Sequence, residues 1–509
     1  MGGRTFQQAW DRAVRQHGDR PFLVFRSTAA ERSDWTYAEF DAVVARTAGA
    51  LRAAGVGRGS AVHVVLRNCP AFVALWLAVA RLGAWIVPTD PASAARDVAN
   101  QVGRVHPVVG VCGSERAAAY REGAGGRVPV VVELAEEASD LAPSGPLHGD
   151  PVGAPEPVGP ADRLAVMFTS GTTSEPKGVV LTQANYAVVA TAMASVVDLR
   201  PHHRWHVTLP LFHANAQYYC VAPAIEVGAS VALSATFSAS GWVAHARELG
   251  VTHASLFAAP IRMILARCPA DEVPLGLEHV WFAQSLGAEH YEHFSRLVGT
   301  RPRQLYGMTE TVAIVCADAG DPLRHDVIGL PLPGREVVVA DADGGGAAGP
   351  GVPGEITVLG TPGVDLFEGY LDDPRTTGRA FHAAPEGTWF STGDLATADD
   401  QGVLRFVGRI DDVVKVSGEN VSLTEVEAAV AQAPGVLEVA VVARPDPVRD
   451  VVPVAYVVAR DAADPPRTAD LARWAEENLS PAARPREWNL IDELPRTSVG
   501  KVRRFRISG

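Results

Sequence analysis

Between Thr169 and Gly178 the chain reads TSGTTSEPKG, a run of hydroxyl side chains with two glycines and one lysine. Glycines let the backbone approach a ligand closely, exposed N–H groups and hydroxyls donate to phosphate oxygens, and the Lys177 ammonium neutralises charge. The composition is that of a phosphate cradle. The spacing is not that of a Walker A loop: Pro176 stands where the second glycine belongs, and Gly178 stands where a Ser or Thr would bind magnesium. A short Ser/Thr/Gly string is by itself more often a plain surface loop than a binding loop. The lysine count adds weight to the binding reading. The chain has only three lysines, Lys177, Lys415 and Lys501, and writes Arg almost everywhere else a cation is used. A lysine retained under that bias marks a place where a compact ammonium is needed and a planar guanidinium does not fit, chance survival being the alternative. Lys501 follows Gly500 in LPRTSVGKVRR, which reads either as a solvated basic tail or as a side chain that reaches across a domain interface. Lys415 lies in DDVVKVSGEN.

These residues need a frame. Arg163–Thr169 (RLAVMFT) is the clearest buried strand and runs straight into the loop. Ahead of it, Ala61–Leu66, Trp85–Val87, Val108–Val111 and Val128–Val132 have β-branched strand patterns, while Ala71–Arg81 and Ala92–Gly103 have helical ones. That βαβ rhythm predicts a mostly parallel sheet with helices on its faces. The Pro/Gly-rich stretch from Ser139 to Ala161 is expected to be a surface connection. Further strands are expected near Val207–Leu209, Val231–Leu233, Ser255–Phe257, Val280–Phe282 and Arg303–Tyr306. From Arg335 the apolar period becomes 2, with strands at Glu336–Ala340, Glu355–Leu359 and Val403–Val407. After Asp411 about a hundred residues carry their own strand and helix signals, the size of a small domain. The reading is an α/β chain: a large N-terminal domain, 1–410, of parallel-rich sheets with a small β-rich subdomain at about 335–408, and a small α+β C-terminal domain, 411–509.

Composition bounds the function. The 509 residues carry 45 Lys+Arg against 58 Asp+Glu, a formal charge of −13, so attraction to a nucleic-acid backbone or an anionic membrane is not expected. The most apolar run, Ala71–Ala80, ends at Arg81 and is far short of the ~20 residues of a membrane span. The N-terminal MGGRTFQQAWDRAVRQ lacks the apolar centre of a secretory signal, and the cytoplasm is the expected compartment. Five scattered cysteines without a CxxC pair predict neither a disulfide framework nor a zinc site.

The chain resembles the AMP-forming acyl-CoA synthetases, the acyl-adenylate-forming superfamily that also holds peptide-synthetase adenylation domains and firefly-type luciferases. The similarity spans nearly the whole length, with motifs in family order: TSGTTSEPKG, PLFH (Pro210–His213), YGMTE (Tyr306–Glu310), STGD (Ser391–Asp394), GRIDD (Gly408–Asp412), SGEN (Ser417–Asn420) and PRTSVGK (Pro495–Lys501). Seven such strings in order are highly specific. At Ser174 and in the FHxxxQ and GENVS strings the chain is most similar to crotonobetaine/carnitine-CoA ligase-like members.

The resemblance implies a mechanism. ATP, Mg²⁺ and CoA (or a carrier-protein pantetheine) would be the cofactors, and a small carboxylic acid the substrate. Thr169, Ser170, Gly171, Thr172, Thr173 and Lys177 would cradle the β- and γ-phosphates. Glu310, with Thr172, would hold the metal, and Thr309 would donate to the α-phosphate. Tyr306 and Gly307 would face adenine, with Gly287 and Ala288 closing the other side and Gln304 near the adenine amino group. Asp394 would accept from both ribose hydroxyls, Arg409 would hold ribose and phosphate, and Lys501 would bridge the carboxylate and the α-phosphate. The carboxylate attacks the α-phosphorus and pyrophosphate leaves, so catalysis is positioning plus charge neutralisation. A thiol then displaces AMP. For that step the C-terminal domain would rotate about Asp411 as a mobile lid, withdrawing Lys501 and bringing Lys415, Gly418 and Glu419 to the thiol channel. The SGEN string also reads as a turn capping a helix that begins near Leu423.

His213 reads either as a structural histidine or, through PLFH, as a gate between acyl pocket and thiol channel. FHANAQ (Phe212–Gln217) holds no carboxylate to pair with a substrate ammonium, which disfavours α-amino acids, and its small polar residues point to a small or medium acid, aromatic or short-chain. Gln217, Phe257, Met263, Leu286, Val312 and Ile314 are candidates to line the acid pocket. Ser174 replaces a usual glycine, and Gln304 a usual Asn or Asp; neither change removes a charge that adenylation needs. Two other ligase readings stay open: an enzyme loading a carrier-protein thiol, and one activating nitrite for a diazotisation. A non-catalytic nucleotide-binding module predicts loss of Glu310, Asp394 or Lys501, and all three are present. A homodimer is left open.

Overall fold

The computed structural model describes residues 3–169, 176–269, 272–341, 346–416, 419–446, 450–495, 502, 504 and 507. The first sheet has seven strands, six from the N-terminal half and the short Gly369–Tyr370 at one edge. Its parallel part runs through Trp85–Thr89, Ala61–Val65, Val109–Gly113 and Val130–Leu134, with Arg163–Thr169 added parallel to Trp85–Thr89. The second sheet has nine strands. Pro21–Arg26, Ser230–Ser234, Arg204–Val207, His253–Phe257, His279–Ala283 and Arg303–Tyr306 are all parallel to their neighbours in that order, and short antiparallel strands flank both edges.

A helix that is apolar all round has to be buried all round. The helix Pro70–Arg81 has all twelve residues buried, with proline at its first turn where the missing N–H costs nothing. It lies in one continuous core with Val62 and Val64 of the first sheet and Leu23, Phe25 and Val231 of the second. The run excluded as a membrane span is therefore the helix packed between two sheets. Among the described residues no helix is long and apolar enough to cross a membrane.

The later segments carry three smaller sheets. Glu336–Ala340, Gly354–Gly360, Gly387–Ala398, Phe381–Ala384 and Leu404–Arg409 form an antiparallel five-stranded sheet. The period-2 pattern from Arg335 arises from this sheet, one face of which is solvated. Beyond Arg409, Val413–Val416 pairs with Glu419–Ser422, and Val436–Asp446, Asp450–Ala459 and Glu487–Leu490 form a three-stranded sheet. The helix Leu423–Val430 packs on the latter around Val426, Val430, Val439 and Val441. The α/β class and its segregation into parallel-rich and β-rich parts stand as read from the sequence.

Three expectations need correction. The strand expected at Val207–Leu209 is Arg204–Val207, because the chain leaves the sheet before Pro210, which has no N–H to give a ladder. The stretch from Ser139 to Ala161 is more than a surface connection. Gly149 and Val152 bond through their N–H groups to Arg46 and Ala45, Leu147 and Val152 enter the core, and a Cβ on Gly49 would fall 1.9 Å from the Asp150 carbonyl oxygen. The cap of the helix at Leu423 is Ser422, whose hydroxyl accepts from the Glu425 N–H at 3.2 Å and donates to the Val407 carbonyl at 2.7 Å, rather than a residue of SGEN.

Candidate active site

The phosphate-loop candidate is closed by a hairpin. Lys177–Thr182 returns antiparallel to Arg163–Thr169, with Thr169 directly opposite Lys177. The two ends of the loop are thus cross-strand neighbours, both half-buried. This differs from a P-loop, where a helix follows the glycines. Ser170, Gly171, Thr172, Thr173 and Ser174 lie outside the described residues. The exit of the loop is fixed by Arg104, which donates to the carbonyls of Pro176 (2.9 Å) and Leu371 (2.7 Å) and stacks over Phe168.

From Lys177 a chain of contacts leads to the carboxylate. Its ammonium sits 5.2 Å over the Tyr370 ring, and the Tyr370 hydroxyl donates to Glu310 Oε1 at 3.1 Å. Glu310 is 5 % exposed. Burial pushes its carboxyl above the usual range, while Tyr370, Arg409 and Lys177 pull the other way. A largely buried carboxylate facing two cations, with one oxygen taken by a phenol, is an incomplete charge arrangement. An oxygen donor of this kind suits a hard divalent cation such as Mg²⁺. Thr309 sits half-buried beside it.

The loop carrying Glu310 is held rigidly. Thr311 bonds its hydroxyl to the Met308 N–H and carbonyl, and Phe367 donates its N–H to the Glu310 carbonyl at 2.9 Å. The buried Arg335 spans the loop, donating to the carbonyls of Thr311, Ala313 and Asp365. Val312 has φ +64°. A β-branched residue there is strained, and such strain persists where the surroundings enforce it, typically at sites. Gly307 is required by approach: a Cβ would fall 2.9 Å from the Tyr219 hydroxyl.

Tyr306, Asp394 and Arg409 meet. The Tyr306 hydroxyl donates to Asp394 Oδ2 at 2.7 Å, and Arg409 Nη1 pairs with Asp394 Oδ1 at 3.2 Å. Asp394 and Arg409 are opposite each other on adjacent strands of the β-rich sheet, whereas Tyr306 ends a strand of the nine-stranded sheet. The buried Nε of Arg409 has no partner among the described residues, which leaves it open to a ligand oxygen. A carboxylate is an acceptor-only group with two oxygens, the chemistry that pairs with neighbouring hydroxyl donors. Gln304, two residues before Tyr306, sits in a cage of carbonyls. With its amide nitrogen toward His325 (2.8 Å) and Val327 (3.1 Å), the orientation those acceptors require, its oxygen remains for a donor such as an adenine amino group. Gly287 caps and Ala288 begins the helix Ala288–Val298. A Cβ on Gly287 would fall 3.2 Å from Gln432, so the C-terminal region approaches the site here. The preceding Gln284 is held at φ +74°.

His213 is half-buried, its ring 4.7 Å from that of Phe212. It precedes a π-helix, Asn215–Val221, a rare geometry that favours functional positions. Tyr219 of that helix is the residue against Gly307, which joins the His213 segment to the Glu310 loop. Gln217 is not a pocket liner. It is fully buried, donates to the Leu211 carbonyl and accepts from the Tyr186 hydroxyl, each at 2.6 Å. Leu286, Val312 and Ile314 are core, and Met263 is 40 % exposed; Phe257 is half-buried at the start of the helix Ala258–Arg267. Tyr186→Phe is expected to destabilise the fold by about 1–3 kcal/mol by leaving the Gln217 oxygen unpaired; the shift of the urea midpoint measures it.

Lys415 and Glu419 are exposed on the paired strands Val413–Val416 and Glu419–Ser422, and no side-chain contact among the described residues joins them to the Glu310 cluster. Gly418 and Lys501 lie outside the described residues. The nearby Arg504 pairs with Asp412 at 2.6 Å and Glu427 at 2.7 Å, so at least this arginine of the basic tail is anchored. His202, His203 and Glu278 bring ligand-type atoms within 4.8 Å. However, His203 Nδ1 accepts from the Arg200 N–H at 3.0 Å, which puts the ring proton on Nε2 facing Glu278 at 3.1 Å. A metal-binding histidine shows the reverse arrangement.

The structure thus brings Lys177 to Glu310 through Tyr370, and Tyr306 and Arg409 to Asp394, and the two groups meet where the Arg409 charge acts on Glu310 and Tyr370. Sequence reasoning missed Tyr370, Arg335, Arg104 and Tyr219. All four act through tertiary contacts that leave no local pattern. The arrangement offers cations and a metal-type carboxylate at one end, and an aromatic with hydroxyl acceptors at the other.

Comparison with known proteins places the chain. Residues 10–371 match the AMP-binding enzyme family and residues 425–501 the AMP-binding enzyme C-terminal domain. The crotonobetaine/carnitine–CoA ligase of Salmonella arizonae is 30 % identical over 513 residues, covering 99 % of this chain and 98 % of that protein. Among solved structures, the anthranilate CoA ligase AuaEII in complex with anthranoyl-AMP superposes with a TM-score of 0.86 at 21 % identity, covering 100 % of this chain and 97 % of that one. The o-succinylbenzoate CoA synthetase from Bacillus subtilis with its acyl-adenylate has a TM-score of 0.85 at 23 % identity, covering 100 % and 98 %. The chain belongs to the AMP-binding enzyme family, as one of its AMP-forming acyl-CoA synthetases.

Proposed function

We propose that the chain activates a small carboxylic acid with ATP, releasing pyrophosphate, and passes the acyl group from the adenylate to CoA, releasing AMP. The observation that carries this reading is the convergence of Lys177, Glu310, Tyr306, Asp394 and Arg409 from separate sheets. Tyr306 supplies a fixed face for adenine, and Asp394 accepts from the ribose hydroxyls. Arg409 and Lys177 neutralise phosphate oxygens, with Thr169 and the loop through Thr173 wrapping the β- and γ-phosphates. Glu310 and Thr172 would hold Mg²⁺, which when bound supplies charge neutralisation at the phosphates. Thr309 orients the α-phosphate, and Lys501 brings the acid carboxylate to it. His213 stands between acid and thiol. For the second step residues 411–509 turn about Asp411, and Lys415, Gly418 and Glu419 come to the thiol passage. Full-length likeness to CoA ligases favours CoA over a carrier protein, and a carboxylic acid over nitrite.

Pyrophosphate release across a panel of carboxylic acids, nitrite included, tests the reading: AMP and acyl-CoA are expected with at least one acid, and no AMP with any acid would overturn it. Gly418→Leu is expected to slow thioester formation from supplied acyl-AMP at least about tenfold, since only hydrogen projects from glycine into a narrow passage. An undiminished second step would move the passage elsewhere.

A further inference from the structure

A second polar site lies away from the Glu310 cluster. The strands Pro21–Arg26 and Ser230–Ser234 are parallel neighbours, and at their carboxyl ends the chain forms a recess of about 250 Å³ lined by Arg26, Ser27, Thr28, Ser234, Thr236 and His245. Carboxyl ends of parallel strands are where α/β sheets take ligands. The recess is smaller than the roughly 300–1,000 Å³ of sites that engulf a whole small molecule, so it suits a headgroup whose remainder leaves through the mouth.

Its chemistry is one-sided. Arg26 gives Nε to Glu248 at 3.3 Å, and its two terminal nitrogens have no partner among the described residues, although its side chain is only 18 % exposed. The His245 ring and the hydroxyls of Thr28 and Thr236 likewise bond to no described residue. At the floor, the Ser234 hydroxyl meets His206 Nε2 at 3.3 Å; His206 is 1 % exposed and its Nδ1 has no partner. No carboxylate lines the recess. The nearby acid Glu248 occupies the Nε edge of Arg26 and faces Arg32 on its other side. Burial and the Arg26 charge hold His245 below its usual range, which an anion between the two would relieve.

We propose that this recess binds a phosphate-type oxyanion, with the free guanidinium edge of Arg26 as the charged clamp and the Ser27, Thr28 and Thr236 hydroxyls as neutral donors. A guanidinium fork against phosphate oxygens is the strong form of such a contact. One further link gives the site a place in the reaction. Asn68 Nδ2 donates to the Ser234 carbonyl at 3.2 Å and to the Leu209 carbonyl at 3.1 Å, and its Oδ1 accepts from the Leu211 N–H at 2.8 Å. The wall of the recess and the loop leading to His213 are therefore locked to one side chain. The anion has two sources: the phosphates of CoA, which rests on the reading above, or a free phosphate that binds independently of the reaction.

Arg26→Gln and Thr236→Val separate these. If the recess holds CoA, the ratio of KM for CoA to KM for pantetheine, which lacks the phosphates, rises about tenfold in Arg26→Gln, the loss of one charge-assisted hydrogen bond, and severalfold in Thr236→Val. If it holds free phosphate, that ratio stays fixed, while inorganic phosphate raises the wild-type melting temperature and loses this effect in both variants. A constant ratio together with unchanged phosphate stabilisation overturns the proposal. Thr236 is exposed and makes no bond, so its variant keeps the test valid if Arg26→Gln fails to fold. A wild-type protein that makes no acyl-CoA overturns the CoA reading and leaves the phosphate arm to decide the recess.

Discussion

Glu310→Gln is expected to slow adenylate formation by about 10²–10³-fold, with a raised Mg²⁺ requirement. The loss corresponds to about 3–4 kcal/mol, the scale of one preorganised charge at a phosphoryl-transfer site. The amide keeps the shape and still accepts from Tyr370, so what is removed is the charge. The same substitution is expected to stabilise the unliganded protein at pH 7. Burial raises the folded-state pKa of Glu310, so in the window between its unfolded and folded values the native state binds more protons and stability falls as pH rises through that window. Above it the ionised, buried carboxylate is a standing cost that glutamine lacks. A rise in melting temperature with a collapse of pyrophosphate release would show a residue kept for function against stability. A variant that adenylates at the wild-type rate would remove Glu310 from the proposed site.

Lys501→Ala is expected to lower adenylate formation by about 10³-fold and to leave the conversion of supplied acyl-AMP to acyl-CoA within a fewfold of wild type. Two anions must meet in the first step, the acid carboxylate and the α-phosphate, and a lysine between them offsets repulsion that is strong in a water-poor site. The second step brings a thiol to an anhydride whose negative charge is already reduced by the loss of pyrophosphate, and it needs no cation at that point. Arginine at the same position is not an equal substitute, because a planar fork is longer and broader than an ammonium. The two half-reactions measured separately decide the matter: equal loss in both would mean that Lys501 supports the fold or the lid as a whole and has no role special to adenylation.

Much of the candidate site is legible in the chain as a set of residue types. Lys177 stood out because lysine is scarce, and Glu310, Asp394 and Arg409 through motif order. The scaffold was legible where period and neighbours agreed, as in Arg163–Thr169 and the wholly apolar helix Pro70–Arg81. Legibility failed where a residue's state depends on something distant in sequence. Gln217 looked like a polar pocket liner, but the Tyr186 hydroxyl and the Leu211 carbonyl consume it inside the core. Lys177–Thr182 became an antiparallel strand because the edge of Arg163–Thr169 was open to it, which no local propensity records.

The amino-acid order by itself determined which groups are present and roughly which strand or loop each occupies, because side-chain periodicity and loop chemistry are local. Only the tertiary structure decided which of them touch. Tyr306 and Asp394 are 88 residues apart in sequence and come from different sheets, yet share a 2.7 Å hydrogen bond. Tyr370 carries the line from Lys177 to Glu310 across a strand edge, and Arg335, its side chain 8 % exposed, pins the loop that follows Glu310. Such contacts are set by how sheets pack and by the need to pair every buried polar atom, and both are properties of the assembled chain.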